Sequence, residues 1–323
     1  MLFFLHGLGD NISNYVNDVS FVQMANQWGW RIVVPQALSV QGYQDYTMWN
    51  AGLGLGIGET ADDSGFLIAL LDTLISHGDV NPDSVFFTGF SMGGFMTHRI
   101  AIEHGDRVTA CASVSGLIPT AFANVAPVAP VRMLHVHGTA DNTVSWEGRF
   151  NGMMTVGITV DSIVGYWVRW NGCGTTPTVE ALPDTRNDGL SFVRKSYSGG
   201  NADFQLLKVE GGAHEWYSNS NVHDIDYFEE IYSFFVRRQA EGEVLGIQTP
   251  SAYNFSVWPN PACDHLNVCS GQPVRLSLVD ARGSVVSTYS FPQGVSNINL
   301  GSLPRGIYLL SDDRGGSVKV VLK

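Results

Sequence analysis

The sequence is poor in charged residues, and the charge that it carries is mostly negative. Charged side chains make up 15% of its 323 residues, whereas about 25% is typical of a soluble domain. The 30 acidic residues outnumber the 18 lysines and arginines, so the formal net charge is −12 at pH 7. Because nucleic acids and anionic membranes bind clusters of cations, this balance argues against both partners. The low charge and the 36 glycines suit a loop-rich extracellular protein with a neutral partner.

Long hydrophobic runs are also missing. No segment approaches the roughly 18 consecutive apolar residues that a membrane span needs, so the sequence predicts no transmembrane helix. The N-terminal stretch MLFFLHG has only five apolar residues before its histidine. It lacks the basic segment and the small-residue cleavage site of a signal peptide. We therefore interpret it as a β-strand.

The sequence has four cysteines, and their spacing is not typical of a metal site. Neither CxxC nor a zinc-ligand pattern occurs, so we predict no metal. Cys111 lies in an apolar run and is expected to be a buried free thiol. Cys263 and Cys269 are close enough in sequence to pair in an oxidising compartment, and whether they do so stays open.

Strands and helices alternate up to about residue 240. Six apolar runs predict strands that are buried on both faces, and helical patterns separate most of them. This alternation is typical of a mostly parallel α/β sheet. The predicted strands are MLFFLHG, RIVVPQA, VFFTGFS, VTACASVSG, VRMLHVHG and FQLLKVEGG, and the predicted helices are FVQMANQWGW, DDSGFLIALLDTLISHG, GFMTHRIAIEHG, SIVGYWVRWNGC and DIDYFEEIYSFFVRR.

After about residue 245 the pattern changes to short strands of alternating polarity. DARG and DDRGG are hairpin-like turn signals between such runs. We therefore predict an α/β domain at residues 1–242, a linker at 243–252, and a small all-β sandwich at 253–323.

The stretch VFFTGFSMGGFMTHRIA at residues 85–101 joins a strand to a helix through Gly-x-Ser-x-Gly. This pattern predicts a nucleophile elbow, a strained turn that exposes Ser91 and needs glycines where side chains would collide with the backbone. The same turn directs the backbone N–H of Met92 at the place where an oxyanion would develop.

A serine hydroxyl needs a base that takes its proton and an acid that orients the base, in the chain order Ser, Asp, His. Asp141 follows the predicted strand VRMLHVHG, and His214 follows FQLLKVEGG. The carboxyl ends of parallel strands meet on one side of the sheet, where such folds bind ligands. We therefore expect Ser91, Asp141 and His214 to meet there.

Other histidines and aspartates compete for these roles. His223 is the main alternative base, but it opens the final helix, where a cap or a solvent-facing side chain is expected. His135 and His137 lie within a strand that the pattern predicts to be buried, so they are expected to be core or supporting groups. The remaining candidates lie on or near helices or in polar loops: His77, His98, His104, Asp161, Asp184, Asp188 and Asp203.

A second oxyanion donor is expected from the loop after the first strand. In FFLHGLGDN, glycines flank Leu8 and leave its N–H free to point inward. The plain alternative for this segment is an ordinary glycine turn, and the ordered set of elbow, acid and base favours the oxyanion loop.

These motifs resemble the polyhydroxybutyrate-depolymerase-like and feruloyl-esterase-like family of α/β-hydrolases. The resemblance spans about residues 1–238 and implies carboxylic ester hydrolysis without a cofactor, with Ser91, Asp141 and His214 as the triad and Leu8 and Met92 at the oxyanion positions. The matching segments are HGLGDN, MWNAG, ADDSGFLIALLDTL, VFFTGFSMGGFMTHRIA, RMLHVHGTADNTVSWEG, IVGYWVRWNGCGTTP and VEGGAHEW.

The acyl group is less well defined by the sequence. Trp49 and Trp216 match aromatic positions that line such clefts, and Trp146 is a third candidate. Together they would form an aromatic surface for a hydroxycinnamoyl or terephthaloyl ring, or they would pack against loops instead. The sequence favours feruloyl or related plant-wall esters. The alternatives are a polyhydroxyalkanoate or aromatic polyester depolymerase, an acetylxylan esterase, a peptidase of the same fold and a non-catalytic surface protein.

The C-terminal segment at about 253–323 resembles the sorting domain of the type IX secretion system, through FSVWPNPACDHLNV, LSLVDARGSVV, LPRGIYLL and GSVKVVLK. This resemblance implies export by the type IX machinery to the surface or surroundings of a Gram-negative bacterium. Separately, we expect the protein to be a monomer. The alternative interpretation of this segment is a glycan-binding module. Family members carry one or two strands, and secreted ones a signal peptide, before the strand that begins here at Met1, so we expect the N-terminus to be truncated.

Overall fold

The computed structural model divides the chain into two compact units, Met1–Gly242 and Glu243–Lys323. Within the part of the chain that it describes, no helix has both the length and the apolar character needed to cross a bilayer. The linker predicted at 243–252 lies outside the described residues. Those residues are 1–16, 21, 25, 28–40, 46–56, 60–77, 81–218, 222–236, 255–280, 284–301, 303–312 and 317–323.

The described residues of the first unit form ten strands, eight of which belong to one sheet. In chain order they are β1 (Leu2–Leu5), β2 (Ile32–Val33), β3 (Phe86–Phe90), β4 (Ala110–Val114), β5 (Arg132–Gly138), β6 (Arg149–Phe150), β7 (Met154–Thr155), β8 (Thr178–Ala181), β9 (Ser191–Tyr197) and β10 (Phe204–Glu210). The large sheet has the order β2-β1-β3-β4-β5-β10-β9-β8. All neighbours from β2 to β10 pair in parallel, and all six strands predicted from the sequence lie in this part.

Helices cover both faces of the sheet. They are α1 (Ser13–Val16), α2 (Asp63–Ser76), α3 (Met92–Glu103), α4 (Val160–Asn171) and α5 (Tyr227–Val236). Alternate side chains of β1 enter different cores, because successive residues of a strand point to opposite faces. Phe3 packs in the core that contains α2, α3 and α4, whereas Phe4 packs in the core that contains α5. The helix predicted at FVQMANQWGW lies partly outside the described residues.

The sheet continues beyond β10 as an antiparallel extension that the sequence did not predict. β9 pairs antiparallel with β10, and β8 pairs antiparallel with β9 at the sheet edge. Every residue of β8 is exposed, and Arg194 of β9 forms an ion pair with Glu180 of β8. These strands lack the apolar runs that mark the buried part of the sheet.

In the part of the second unit that the structure describes, seven strands form two antiparallel sheets. The strands are β11 (Phe255–Trp258), β12 (His265–Ser270), β13 (Val274–Val279), β14 (Val285–Phe291), β15 (Gly294–Asn299), β16 (Gly306–Asp312) and β17 (Ser317–Leu322). The sheets have the orders β11-β12-β15 and β14-β13-β16-β17. Both contribute to one core that includes Leu266, Leu276 and Leu310, so the predicted sandwich is confirmed. The predicted turns DARG and DDRGG lie mostly outside the described residues, and the strands on either side of them pair antiparallel.

The four cysteines are free thiols. Cys111 is fully buried on β4, as the sequence predicted, and Cys173 is also buried. Cys263 is exposed and Cys269 lies on β12, and the two are not paired in this structure.

Candidate active site

Ser91 occupies a sharp turn between β3 and α3. Its backbone has φ 55° and ψ −118°, a region that is costly for any residue with a side chain. The turn is possible because glycines stand on either side. A Cβ on Gly93 would lie 1.9 Å from the Leu5 carbonyl oxygen, and one on Gly89 would lie 2.5 Å from the Gly93 carbonyl. The local sequence therefore enforces an elbow with the serine at its tip.

The structure brings the three predicted triad residues together. His214 Nε2 lies 2.9 Å from Ser91 Oγ, and His214 Nδ1 lies 2.7 Å from Asp141 Oδ2. A carboxylate oxygen can only accept a hydrogen bond, so His214 donates its Nδ1–H to Asp141. Its Nε2 is then free to accept a hydrogen bond from the serine hydroxyl. This is the proton arrangement that a nucleophilic serine requires.

Asp141 is buried and held by the loop that follows β5. Its Oδ1 accepts from the backbone N–H groups of Thr143, at 3.0 Å, and Val144, at 2.8 Å. The Val144 carbonyl in turn accepts from His137 Nε2 at 2.8 Å. The Ala140 N–H donates to the Gly212 carbonyl at 2.9 Å, so the loops that carry the acid and the base are also joined. The carboxylate is thus fixed before any substrate arrives.

The two predicted oxyanion donors line the same cavity as Ser91. Met92 is the first residue of α3, and the first N–H groups of a helix have no intrahelical acceptor. Leu8 lies on the loop after β1, which passes beside the elbow. The role of the two N–H groups as oxyanion donors stays a prediction.

His6 holds the oxyanion loop in place, a role that the sequence analysis did not assign. The Ala37 N–H donates to His6 Nε2 at 3.1 Å, so the ring proton is on Nδ1, which donates to the Gly7 carbonyl at 2.8 Å. Burial lowers the pKa of His6, which keeps the ring neutral. Trp49 Nε1 donates to the His6 carbonyl at 3.0 Å from below. These bonds orient the peptide that precedes Leu8.

A cavity of about 610 Å³ opens above Ser91 and His214. Among the described residues that line it, Asp10 is the one carboxylate and there is no lysine or arginine. Its apolar wall includes Met48, Leu55, Phe90, Phe95, Phe150 and Val156. The wall is suited to an uncharged, apolar group.

The three tryptophans predicted to contact substrate lie outside this lining. Trp49 is fully buried beneath His6. Trp216 packs against Phe4 and Phe228 in the core on the α5 side. The Trp146 indole donates to Asp161 at 3.2 Å and lies beneath the Lys208 ammonium. In this structure phenylalanines 90, 95 and 150 line the cavity, whereas the three tryptophans pack outside its lining, so their contact with substrate stays a prediction.

The competing residues lie elsewhere in the first unit. His223 Nδ1 pairs with Asp188 at 3.0 Å, away from Ser91. His135 and His137 on β5 and His98 on α3 are completely buried. Among the described residues, no group of three or more His, Cys, Asp or Glu side chains is arranged to hold a metal ion.

Two family models match the chain. The phospholipase/carboxylesterase model matches residues 1–151, which include the oxyanion loop, the elbow and Asp141. The secretion system C-terminal sorting domain model matches residues 256–323.

Curated relatives and a solved structure agree with the first match. The putative esterase NocK of Nocardia uniformis subsp. tsuyamanensis is 30% identical over 166 residues, which are 48% of this chain and 48% of NocK. The bifunctional acetylxylan esterase/xylanase XynS20E of Neocallimastix patriciarum is 23% identical over 255 residues, which are 78% of this chain and 34% of XynS20E. The chain thus spans about half or less of these relatives.

The acetyl xylan esterase from Aspergillus awamori superposes with a TM-score of 0.50 at 16% identity, over 72% of this chain and 88% of that chain. This likeness concerns the fold, and it confirms the predicted α/β-hydrolase class. Residues 1–151 thus match the phospholipase/carboxylesterase family, and residues 256–323 match the secretion system C-terminal sorting domain.

Proposed function

We propose that the protein is a serine carboxylic ester hydrolase that works through an acyl-enzyme. The observation that carries this proposal is the continuous hydrogen-bond chain Ser91–His214–Asp141 at the base of an apolar cavity. The family match of residues 1–151 supports the same reaction class.

Each residue has a distinct part in this mechanism. His214 takes the proton of the Ser91 hydroxyl as the oxygen attacks the ester carbonyl, and it later gives that proton to the leaving alcohol. Asp141 stabilises the imidazolium that forms between these steps. The N–H groups of Leu8 and Met92 stabilise the negative charge that develops on the carbonyl oxygen. Water then attacks the acyl-enzyme with His214 as the base, which frees Ser91.

The cavity favours a large, uncharged acyl group. An acetyl group would fill little of a space of about 610 Å³, whereas an aromatic acyl group would contact the phenylalanine walls and remove apolar surface from water. We therefore favour feruloyl or related aromatic esters. Acetylated xylan and polyester oligomers are the alternatives.

A panel of substrates tests this proposal. We expect kcat/KM for methyl ferulate to exceed that for methyl acetate, and activity on a matched peptide amide to be negligible. Polyhydroxyalkanoate oligomers, aromatic polyester oligomers and acetylated xylan complete the panel. Cleavage of the amide with no cleavage of esters would favour the peptidase alternative, and no turnover of any substrate would favour a non-catalytic surface protein.

Phe150→Ala is expected to lower kcat/KM for methyl ferulate by about tenfold and to change that for p-nitrophenyl acetate by less than about threefold, since it removes aromatic surface from the cavity wall. Trp146→Phe is the matched control, because Trp146 lies nearby but outside the lining. The measurement is the ratio of the two kcat/KM values in each variant. An equal change of this ratio in Trp146→Phe would mean that Trp146 also contacts the substrate.

We further propose that the C-terminal domain directs secretion by the type IX machinery of a Gram-negative bacterium, with the enzyme outside the cell. The match of residues 256–323 to a secretion system sorting domain supports this. All the residues of the proposed mechanism precede position 215, so the chemistry needs nothing from this domain.

Truncation after Gln239 is expected to leave the esterase folded and active within about twofold on p-nitrophenyl butyrate, because Met1–Gly242 is a compact unit with its own hydrophobic cores. The truncated chain retains α5, whose Phe234 carbonyl accepts from Arg132 at 2.6 Å. Activity and Tm are measured beside those of the full chain. A large loss of turnover would mean that the β domain binds substrate or shapes the cleft.

A further inference from the structure

Three buried histidines form a row behind the loop that carries Asp141. His135 and His137 project from the same face of β5, and His98 projects from α3. All three have no exposed surface, and none lines the cavity. His98 Nε2 lies 3.2 Å from His135 Nδ1, and the rings of His135 and His137 are nearly parallel with centroids 5.4 Å apart. Polar rings that are buried so completely need hydrogen-bond partners on both nitrogens.

Trp167 fixes the protons at one end of this row. Its indole N–H can only donate, and it donates to His98 Nδ1 at 3.3 Å. The proton of neutral His98 is therefore on Nε2 and is donated to His135 Nδ1, which places the proton of His135 on its own Nε2. Burial lowers the pKa of His98 to about 3 and that of His135 well below its usual value, so both rings are neutral.

The Val144 carbonyl fixes the proton at the other end. A carbonyl can only accept, so His137 Nε2–H donates to it at 2.8 Å and Nδ1 carries the lone pair. Burial lowers the pKa of His137 as well. His135 Nε2–H is thus a donor and His137 Nδ1 an acceptor, and both are buried without a hydrogen-bond partner among the described residues. His135 therefore lacks a hydrogen-bond acceptor, and the neighbouring His137 lacks a donor.

We propose that one water molecule binds between His135 and His137 and completes a one-directional hydrogen-bond chain from Trp167 to the Val144 carbonyl. The water accepts from His135 Nε2–H and donates to His137 Nδ1, which satisfies both atoms at once. The chain ends on the residue whose N–H holds Asp141 Oδ1 at 2.8 Å. The histidines are therefore positioning residues for the acid loop, a role that rests on the proposed function of Asp141.

A direct test needs no enzyme activity, so it stands even if the proposed function fails. A crystal structure of the full chain at about 1.5 Å resolution is expected to show one ordered water at about 3 Å from both nitrogens. Nitrogen NMR of the histidine rings is expected to show the Nε2–H tautomer for all three, with His6 as an internal reference in the Nδ1–H form. The absence of a water between His135 and His137, or an Nδ1–H tautomer for His135, overturns the proposal.

His135→Phe tests the positioning role, because it keeps the ring shape and removes both nitrogens. We expect kcat on p-nitrophenyl butyrate to fall by about tenfold with KM changed by less than about twofold, since the loss of one buried hydrogen-bond partner misplaces the acid and not the cavity wall. His135→Gln restores an N–H donor and is expected to recover most of kcat. An unchanged kcat in His135→Phe, or a loss expressed only in KM, overturns this role.

Met133→Leu is the matched control, because Met133 lies on the same strand as His135 with its side chain in the hydrophobic core, and the substitution leaves its backbone hydrogen bond to Asp203 in place. Its kcat is expected to stay within about twofold, as for other volume-conserving core changes. Circular dichroism checks the fold of each variant. If His135→Phe does not fold, His135→Gln carries the test: a retained water and near-normal kcat support the proposal, and the loss of both contradicts it.

Discussion

Ser91→Ala is expected to lower kcat on p-nitrophenyl butyrate by about 10⁴-fold or more, because the remaining groups bind the ester but have no nucleophile to offer it. Alanine tolerates the backbone of the elbow as well as serine does, so the variant should fold. The measurement is steady-state turnover beside a circular dichroism spectrum. A second readout is covalent: an organophosphonate ester should label the wild-type chain at Ser91 and leave the variant unlabelled.

Ser115→Ala is the matched control for this experiment. Ser115 also has a positive φ, of 49°, and it follows β4, but it has no part in the hydrogen-bond chain of the site. Its replacement is expected to change kcat by less than about threefold, as for substitutions away from the reacting groups. Unchanged turnover in a folded Ser91→Ala protein would remove the serine from the mechanism and the esterase proposal with it.

Asp141→Asn is expected to lower kcat by about 10³-fold to 10⁴-fold with little change in KM, because an amide neither favours the Nδ1–H form of His214 nor stabilises the imidazolium. The backbone N–H groups of Thr143 and Val144 still have an oxygen to bond, so the loop should keep its shape. Turnover and thermal unfolding are measured together.

A second aspartate–histidine pair, Asp188 and His223, provides a control for Asp141→Asn. Asp188→Asn removes a carboxylate that contacts a histidine at a similar distance but away from the serine. Its kcat is expected to stay within about threefold of the wild type. Comparable losses of kcat in both variants would mean that each aspartate supports activity by stabilising the fold, and that Asp141 has no special part in the reaction.

The sequence predicted the parallel sheet and the placement of Ser91, Asp141 and His214 because the relevant signals are local. Each strand buried on both faces is a continuous apolar run. Ser91 directly follows such a run, and Asp141 and His214 lie in the loops just after two others. Parallel strands then bring their carboxyl ends together whatever their separation along the chain. β8 and β9 gave no such signal, because β8 is exposed at the sheet edge and β9, beside it, is only partly buried and carries charged residues.

The tryptophans and the histidine row show why the rest could not be predicted. Whether Trp49 contacts a substrate or fills the core depends on the direction of one side chain, and its indole bonds to the His6 carbonyl below the site. The proton positions on His98 and His135 follow from Trp167, which α4 contributes from a distant part of the chain. Nothing in the spacing of these residues specifies such contacts.

The packing of Gly93 against Leu5 has a consequence for how the protein folds. The turn that presents Ser91 is sterically defined by backbone almost ninety positions away, because the Leu5 carbonyl lies where a Cβ of Gly93 would be. Closing a loop of that length is entropically costly, and such contacts form slowly. The close packing that defines the turn at Ser91 is therefore complete only when β1 has paired with β3.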